Sequence, residues 1–178
     1  ERVGGRVRLL DLTSHDDWKI NPEKLKKLIT EINNELKLDY DRNRGKYIFR
    51  RSDYPPKVSA FVHMNPHNPT GVVYGQKDKA LLFKISNICR EASVFVIDDL
   101  AYAGLEYDRS NLALPISSLK GHFDNTITLY TLSKSYGLAG LRSGMVIANE
   151  IVISLIRDRV FQASDSLSIL QSSAMAAA

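Results

Sequence analysis

The sequence predicts an α/β fold: a three-layer sandwich whose sheet is mainly parallel, with one antiparallel strand. Three observations lead there. Short apolar, β-branched runs alternate with longer amphipathic segments, the rhythm of a parallel sheet covered by helices. The runs are apolar almost throughout rather than alternating, as strands buried on both faces are. The last two strand candidates lie about ten residues apart, short for a parallel crossover, so the last one runs antiparallel. With 178 residues, 44% of them hydrophobic, the chain can build one domain with its own core.

The elements follow in order. Gly4-Gly5 runs into the strand-like Arg6 to Asp11. Asn21-Pro22-Glu23 starts a helix, with a capping Asn and then Pro at the first helical position. Leu25, Leu28, Ile29, Ile32 and Leu36 follow at helical spacing, with lysines opposite. Residues 39 to 57 are charged and aromatic without a helical period. Interleaved basic and aromatic residues can bind nucleic acid, but the net charge is only +4, so this is read as a solvated surface excursion with a short hairpin at Tyr47-Ile-Phe49. Lys57 to Met64 is the next strand. It ends in Asn65-Pro-His-Asn-Pro-Thr-Gly71, where two prolines and a glycine forbid regular structure. Gln76 to Arg90 is a helix with Leu81, Leu82, Ile85, Ile88 and Cys89 inward. Val94 to Ile97 is a strand ending in Asp98-Asp99-Leu-Ala-Tyr102. After a loop near Gly104 to Gly121, the strand 126–131 leads to Lys134, Gly144 to Ala148 is the antiparallel strand, and Ile151 to about Phe161 returns to helix.

Composition excludes several function classes. A charge of +4 is not the footprint of a dedicated nucleic-acid binder. No run of about 18 apolar residues suggests a membrane span, and no apolar signal region opens the chain, so a cytoplasmic location is expected. The lone Cys89 rules out an internal disulfide and fits a reducing compartment. Residue 1 is Glu, and the sequence closes on the helix-forming, uncapped run Ser168 to Ala178. The chain is therefore read as the middle of a longer protein.

Three loops at carboxyl ends of strands carry the unusual polar residues, which is where open α/β sheets bind ligands. Lys134 follows a strand, flanked by Thr131, Ser133 and Ser135, with Arg142 eight residues on. Hydroxyls and a guanidinium together suit a phosphate. Out of context, a lysine after a strand is a solvated loop charge and a tyrosine such as Tyr102 is as often a core residue. Asp98 and Asp99 should diverge so that only one can serve a ligand, and Asp98 could merely cap the following turn. His63 and His67 are four apart, but Pro66 argues against a helical zinc pair, so both are read as structural or exposed. Gly137 and Gly140 do not make a dinucleotide fingerprint.

In combination the motifs resemble the fold-type I aminotransferases of class I/II, which use pyridoxal 5'-phosphate (PLP). Asn65-Pro-His-Asn-Pro-Thr-Gly71 is similar to that family's Asn-Pro-x-Asn-Pro-Thr-Gly loop, Asp99-Leu-Ala-Tyr102 to its Asp-x-x-Tyr, and Thr131-Leu-Ser-Lys134 with Arg142 to its cofactor-lysine segment. The resemblance implies a partial large, PLP-binding domain spanning 1–178, without the N-terminal segment or the C-terminal small domain. It implies that Lys134 forms a Schiff base with PLP and shuttles the substrate proton. It implies that Asp99 pairs with the pyridine nitrogen, that Asn68 and Tyr102 bond the ring hydroxyl oxygen, and that Thr131, Ser133 and Arg142 hold the phosphate. It further implies a cis peptide at Asn68-Pro69, amino acid and 2-oxo acid substrates, a homodimeric parent protein, and an isolated piece that is inactive. The same fold also serves PLP-dependent lyases and decarboxylases, and PLP-sensing domains of transcription regulators; both remain alternatives at this stage.

Overall fold

The computed structural model of the protein describes residues 7–35, 38–41, 46–49, 58–163 and 168–177. The chain divides into two compact units, Glu1–Ser59 and Ala60–Ala178.

In the first unit, residues 7–12 form no strand, and Val7 and Leu9 are exposed. The apolar run there reads as a strand locally, but no described strand pairs with it, and a strand needs a partner for its backbone groups. Helix α1 spans Pro22–Glu35. Asn21 caps it as expected, its Oδ1 accepting from the backbone N–H groups of Glu23 and Lys24 at 3.0 and 3.3 Å. Leu25 and Ile29 are buried; Leu36 lies outside the described residues. Hydrogen bonds from Lys24 first, then Asn21 and Thr13, hold the Asp16 carboxyl down at about 2. Strands β1 (Leu38–Asp41) and β2 (Lys46–Phe49) form the expected hairpin, Tyr40 opposite Tyr47.

The second unit is built on a four-stranded sheet of β3 (Ala60–Met64), β4 (Phe95–Asp99), β5 (Thr126–Thr131) and β6 (Gly144–Ile147), in that spatial order. The first three are parallel and β6 is antiparallel to β5. This is the expected α/β class with a mostly parallel sheet. Helix α2 (Lys79–Glu91) begins three residues later than its apolar pattern suggested, because Gln76–Asp78 is a single 3-10 turn. Its buried residues Leu82, Ile85, Ser86 and Cys89 recur at helical spacing and pack it against β4. Each fully buried Leu or Ile of this kind contributes about 1.5–3 kcal/mol. Burial alone pushes the Cys89 thiol up to about 12, which leaves it unreactive.

On the same side of the sheet, Val96 and Asp98 of β4 and Thr126 and Thr128 of β5 are buried. The opposite face is more open: Val62 and Phe95 are 60% and 38% exposed. The apolar strands thus find full burial on one face only among the described residues. Three further helices complete the unit: the short α3 (Leu132–Ser135), α4 (Glu150–Ala163) and α5 (Ile169–Ala177). No described helix is long and apolar enough to cross a membrane.

Candidate functional site

Parallel pairing in register brings the carboxyl ends of β3, β4 and β5 to one edge. Met64 is opposite Asp99, and Asp99 is opposite Leu129. The segments leaving these ends carry Asn68, Tyr102, Ser133, Lys134 and Arg142, and Asp99 and Thr131 are the last residues of their strands.

The first loop is rigid for identifiable reasons. The buried Asn65 side chain makes a reciprocal pair with Tyr74, donating to its carbonyl and accepting from its N–H, both at 2.9 Å. Asn65 N–H donates to Asp99 O at 3.0 Å, binding this loop to the end of β4. Within the loop, His67 Nδ1 lies 2.8 Å from Thr70 Oγ1. Burial, and then the nearby His63, hold the His67 pKa below its ordinary value. Both Asn65-Pro66 and Asn68-Pro69 are cis, the second as expected. Asn68 is exposed at the tip, and its Nδ2 donates to Tyr102 Oη at 3.0 Å.

Asp98 and Asp99 diverge, because successive strand residues point to opposite faces. The half-buried Asp99 carboxylate accepts from Ala101 N–H at 3.0 Å, so Asp99, rather than Asp98, caps the turn. Asp98 is fully buried, accepting from Ile116 N–H at 2.8 Å and lying 2.8 Å from His63 Nδ1. A hydrogen-bonded His–Asp pair buried under the site was not foreseen. Its only local signal is that His63 and Asp98 fall on the same strand parity. The two acids do not converge on a metal, and no cluster of three His, Cys, Asp or Glu ligands exists among the described residues.

Lys134 lies in the one-turn helix α3 that leaves β5. Its exposed ammonium stands 5.7 Å from the centroid of the Tyr102 ring, within cation–π range. Asn68, Tyr102 and Lys134, one residue from each of three loops, therefore meet. Ser135 Oγ donates to Ala103 O and ties α3 to the loop after β4. Thr131 caps α3, its Oγ1 accepting from Ser133 N–H at 3.1 Å, with Ser133 Oγ 3.0 Å away. The same hydroxyl donates to Ser143 O at 2.9 Å. A hydroxyl has one proton, so Thr131 can bond an anion only by exchanging that partner. Arg142 precedes Ser143 and is exposed, with left-handed backbone (φ 52°) and Nη1 donating to Ala139 O at 3.1 Å. Among the described contacts, Arg142 makes no bond to Thr131 or Ser133.

The donor set as a whole is a carboxylate, an amide–phenol pair, a primary amine, hydroxyls and a guanidinium. This chemistry fits a phosphorylated aromatic aldehyde. An amine can condense with the aldehyde, a carboxylate can face a protonated ring nitrogen, and hydroxyls with a guanidinium can take the phosphate.

A family model, aminotransferase class I and II, matches residues 1–178. The chain is 31% identical over 139 residues to an aromatic-amino-acid aminotransferase of Thermococcus litoralis, covering 78% of this chain and 33% of that one. It is 34% identical over 126 residues to a histidinol-phosphate aminotransferase of a Thermoanaerobacter species, covering 71% and 32%. Among solved structures, the aromatic aminotransferase from Pyrococcus horikoshii superposes with a TM-score of 0.65 at 27% identity, covering 89% of this chain and 35% of that one. The chain thus spans about a third of the length of the curated relatives it matches.

Proposed function

The chain belongs to the class I and II aminotransferase family, and on that premise we propose that its parent protein transfers an amino group from an amino acid to a 2-oxo acid with PLP. The observation that carries the reading is the meeting of Asn68, Tyr102 and Lys134 from three separate loops. The relatives act on different substrates by name, so the reading extends to the reaction and not to a particular amino acid.

When bound, PLP supplies an aldehyde that captures amines and a ring that takes up electrons from the substrate α-carbon. The residues of this chain do the rest. Lys134 would hold the aldehyde through its Nζ amine, and the same amine, once free, would take and return the proton of the substrate α-carbon. Asp99 keeps a proton on the ring nitrogen, its Oδ1 already steadied by Ala101 N–H. Asn68 donates to Tyr102 Oη, which leaves the phenol proton of Tyr102 free to be donated to the ring hydroxyl oxygen. Ser133 and Arg142 hold the phosphate, joined by Thr131 when its hydroxyl leaves Ser143. The parent is proposed to be a cytoplasmic homodimer, and the 178-residue piece by itself to be inactive in transamination.

Addition of PLP, borohydride reduction and peptide mapping test the assignment. A single reduced adduct on Lys134, lost in Lys134→Ala, is the expected outcome. An adduct scattered over other lysines, or none at all, would overturn it. Release of a 2-oxo acid from an amino acid by the full-length protein then separates transamination from loss of carbon dioxide or a thiol.

A further inference from the structure

From the amide of Gln171 we infer that this residue is a positioning residue, clamping the turn that presents Arg142. The inference rests on the reading of Arg142 as a phosphate ligand.

Gln171 lies in the first turn of α5. Its side-chain amide has two partners, one at each end. Oε1 accepts from Ser168 N–H at 2.7 Å, and Nε2 donates to Leu141 O at 2.7 Å. Ser168 Oγ completes the arrangement by accepting from Gln171 N–H at 3.2 Å. Ser168 and Gln171 thus form a capping box at the start of a nine-residue helix. The amide orientation is dictated by chemistry. Flipping it would set a donor against the Ser168 N–H and an acceptor against the Leu141 carbonyl. A single amide therefore caps α5 and grips residue 141.

Leu141 immediately precedes Arg142, whose left-handed backbone is unfavourable for any residue with a Cβ and persists only where the surroundings hold it. On one side the turn is held by the end of β5 and the start of α3: Leu138 N–H donates to Leu132 O at 3.2 Å, and Thr131 Oγ1 to Ser143 O at 2.9 Å. Leu141 O accepts from Ser143 Oγ at 3.2 Å, a bond within the turn itself. Gln171 adds a side-chain bond to this turn from beyond residue 143. It is made by a neutral amide, so it fixes the backbone without competing with Arg142 for an anion.

Two substitutions separate the clamp from the cap. Gln171→Glu retains an acceptor for Ser168 N–H, and Glu is at home in a capping box. It cannot donate to Leu141 O when ionised. Ser168→Ala weakens the cap and leaves the clamp. Trypsin cleavage after the exposed Arg142 reads the turn directly. Gln171→Glu should be cut there several-fold faster than wild type, and Ser168→Ala at the wild-type rate. Equal rates in wild type and Gln171→Glu would overturn the inference, whatever the cofactor does. Affinity for PLP against pyridoxal, which lacks the phosphate, reads the consequence. Gln171→Glu should weaken PLP binding about tenfold, the scale of one lost hydrogen bond, and leave pyridoxal binding unchanged. Equal losses for both ligands would mean a general structural defect and overturn the positioning role. If the wild-type protein distinguishes neither ligand while cleavage responds as expected, the phosphate reading of Arg142 fails and the clamp on the turn stands.

Discussion

Asp98 and Asp99 are chemically identical neighbours with opposite fates, and strand alternation decides between them. Asp98 turns inward to the buried His63 and the Ile116 N–H, and Asp99, half-buried, turns the other way and accepts from the Ala101 N–H. Asp98→Ala would leave both buried partners of that carboxylate without an acceptor. It should lower the unfolding free energy in urea by about 3 kcal/mol, the range for breaking a buried pair. A loss below about 1 kcal/mol, the worth of an ordinary net hydrogen bond, would show that the pair is dispensable. Residue types and spacing marked Lys134 and Arg142 as candidates, and the motif resemblance added Asn68 and Tyr102. Neither marked His63, whose partner lies 35 residues away in sequence.

At the scale of elements, β6 brings the turn around Arg142 back against β5. Gly144 is opposite Thr131, and a Cβ added at Gly144 would stand 2.8 Å from Tyr130 O, closer than real contacts allow. Backbone cannot yield as a flexible side chain does. Gly144→Ala should therefore force the two strands apart and cost about 1–3 kcal/mol of stability. Gly140→Ala, where an added Cβ meets nothing within 4 Å, serves as the control in the same thermal or urea series. If the two variants behave alike, close β5–β6 approach is not what fixes this glycine. The antiparallel sense of β6 was legible from the short connection before it. The late start of α2 was not, since Gln76, Lys77 and Asp78 are all polar and offer no apolar spacing that would tell a 3-10 turn from a helix.

For the molecule as a whole, acid sensitivity follows from its histidines. His122 is fully buried, with Ser86 Oγ 2.7 Å from its Nδ1 and the ring of Phe83 packed edge-on. Burial first, and the positive Arg90 second, hold its pKa below the ordinary 6.5; His67 is shifted the same way. The folded protein thus keeps these rings neutral where the unfolded chain would protonate them. Below about pH 6.5 the unfolded state binds more protons, so stability present above that pH is lost as the pH falls through the lowered folded values. The urea midpoint should decline from about pH 7 to about pH 5, and His122→Gln should flatten part of that decline. An unchanged slope in the variant would assign the acid sensitivity elsewhere.

The sequence by itself determined the four strands of the second unit, the helices α2 and α4 within a few residues, and the three loops that carry the candidate site. Apolar periodicity, a capping Asn, prolines and glycines act within a few residues and can be read in place. The same local reading set a strand at residues 6 to 11 that finds no pairing partner among the described residues. Tertiary structure alone decided which carboxylate is buried, which partner accepts the hydrogen bond of Thr131, and how Gln171 reaches Leu141. These outcomes depend on groups brought together across 12 residues for Thr131 and Ser143 and 30 for Gln171 and Leu141. Hydrogen bonds over such separations exist only once strand order and register have closed the distance, and no local pattern encodes that closure.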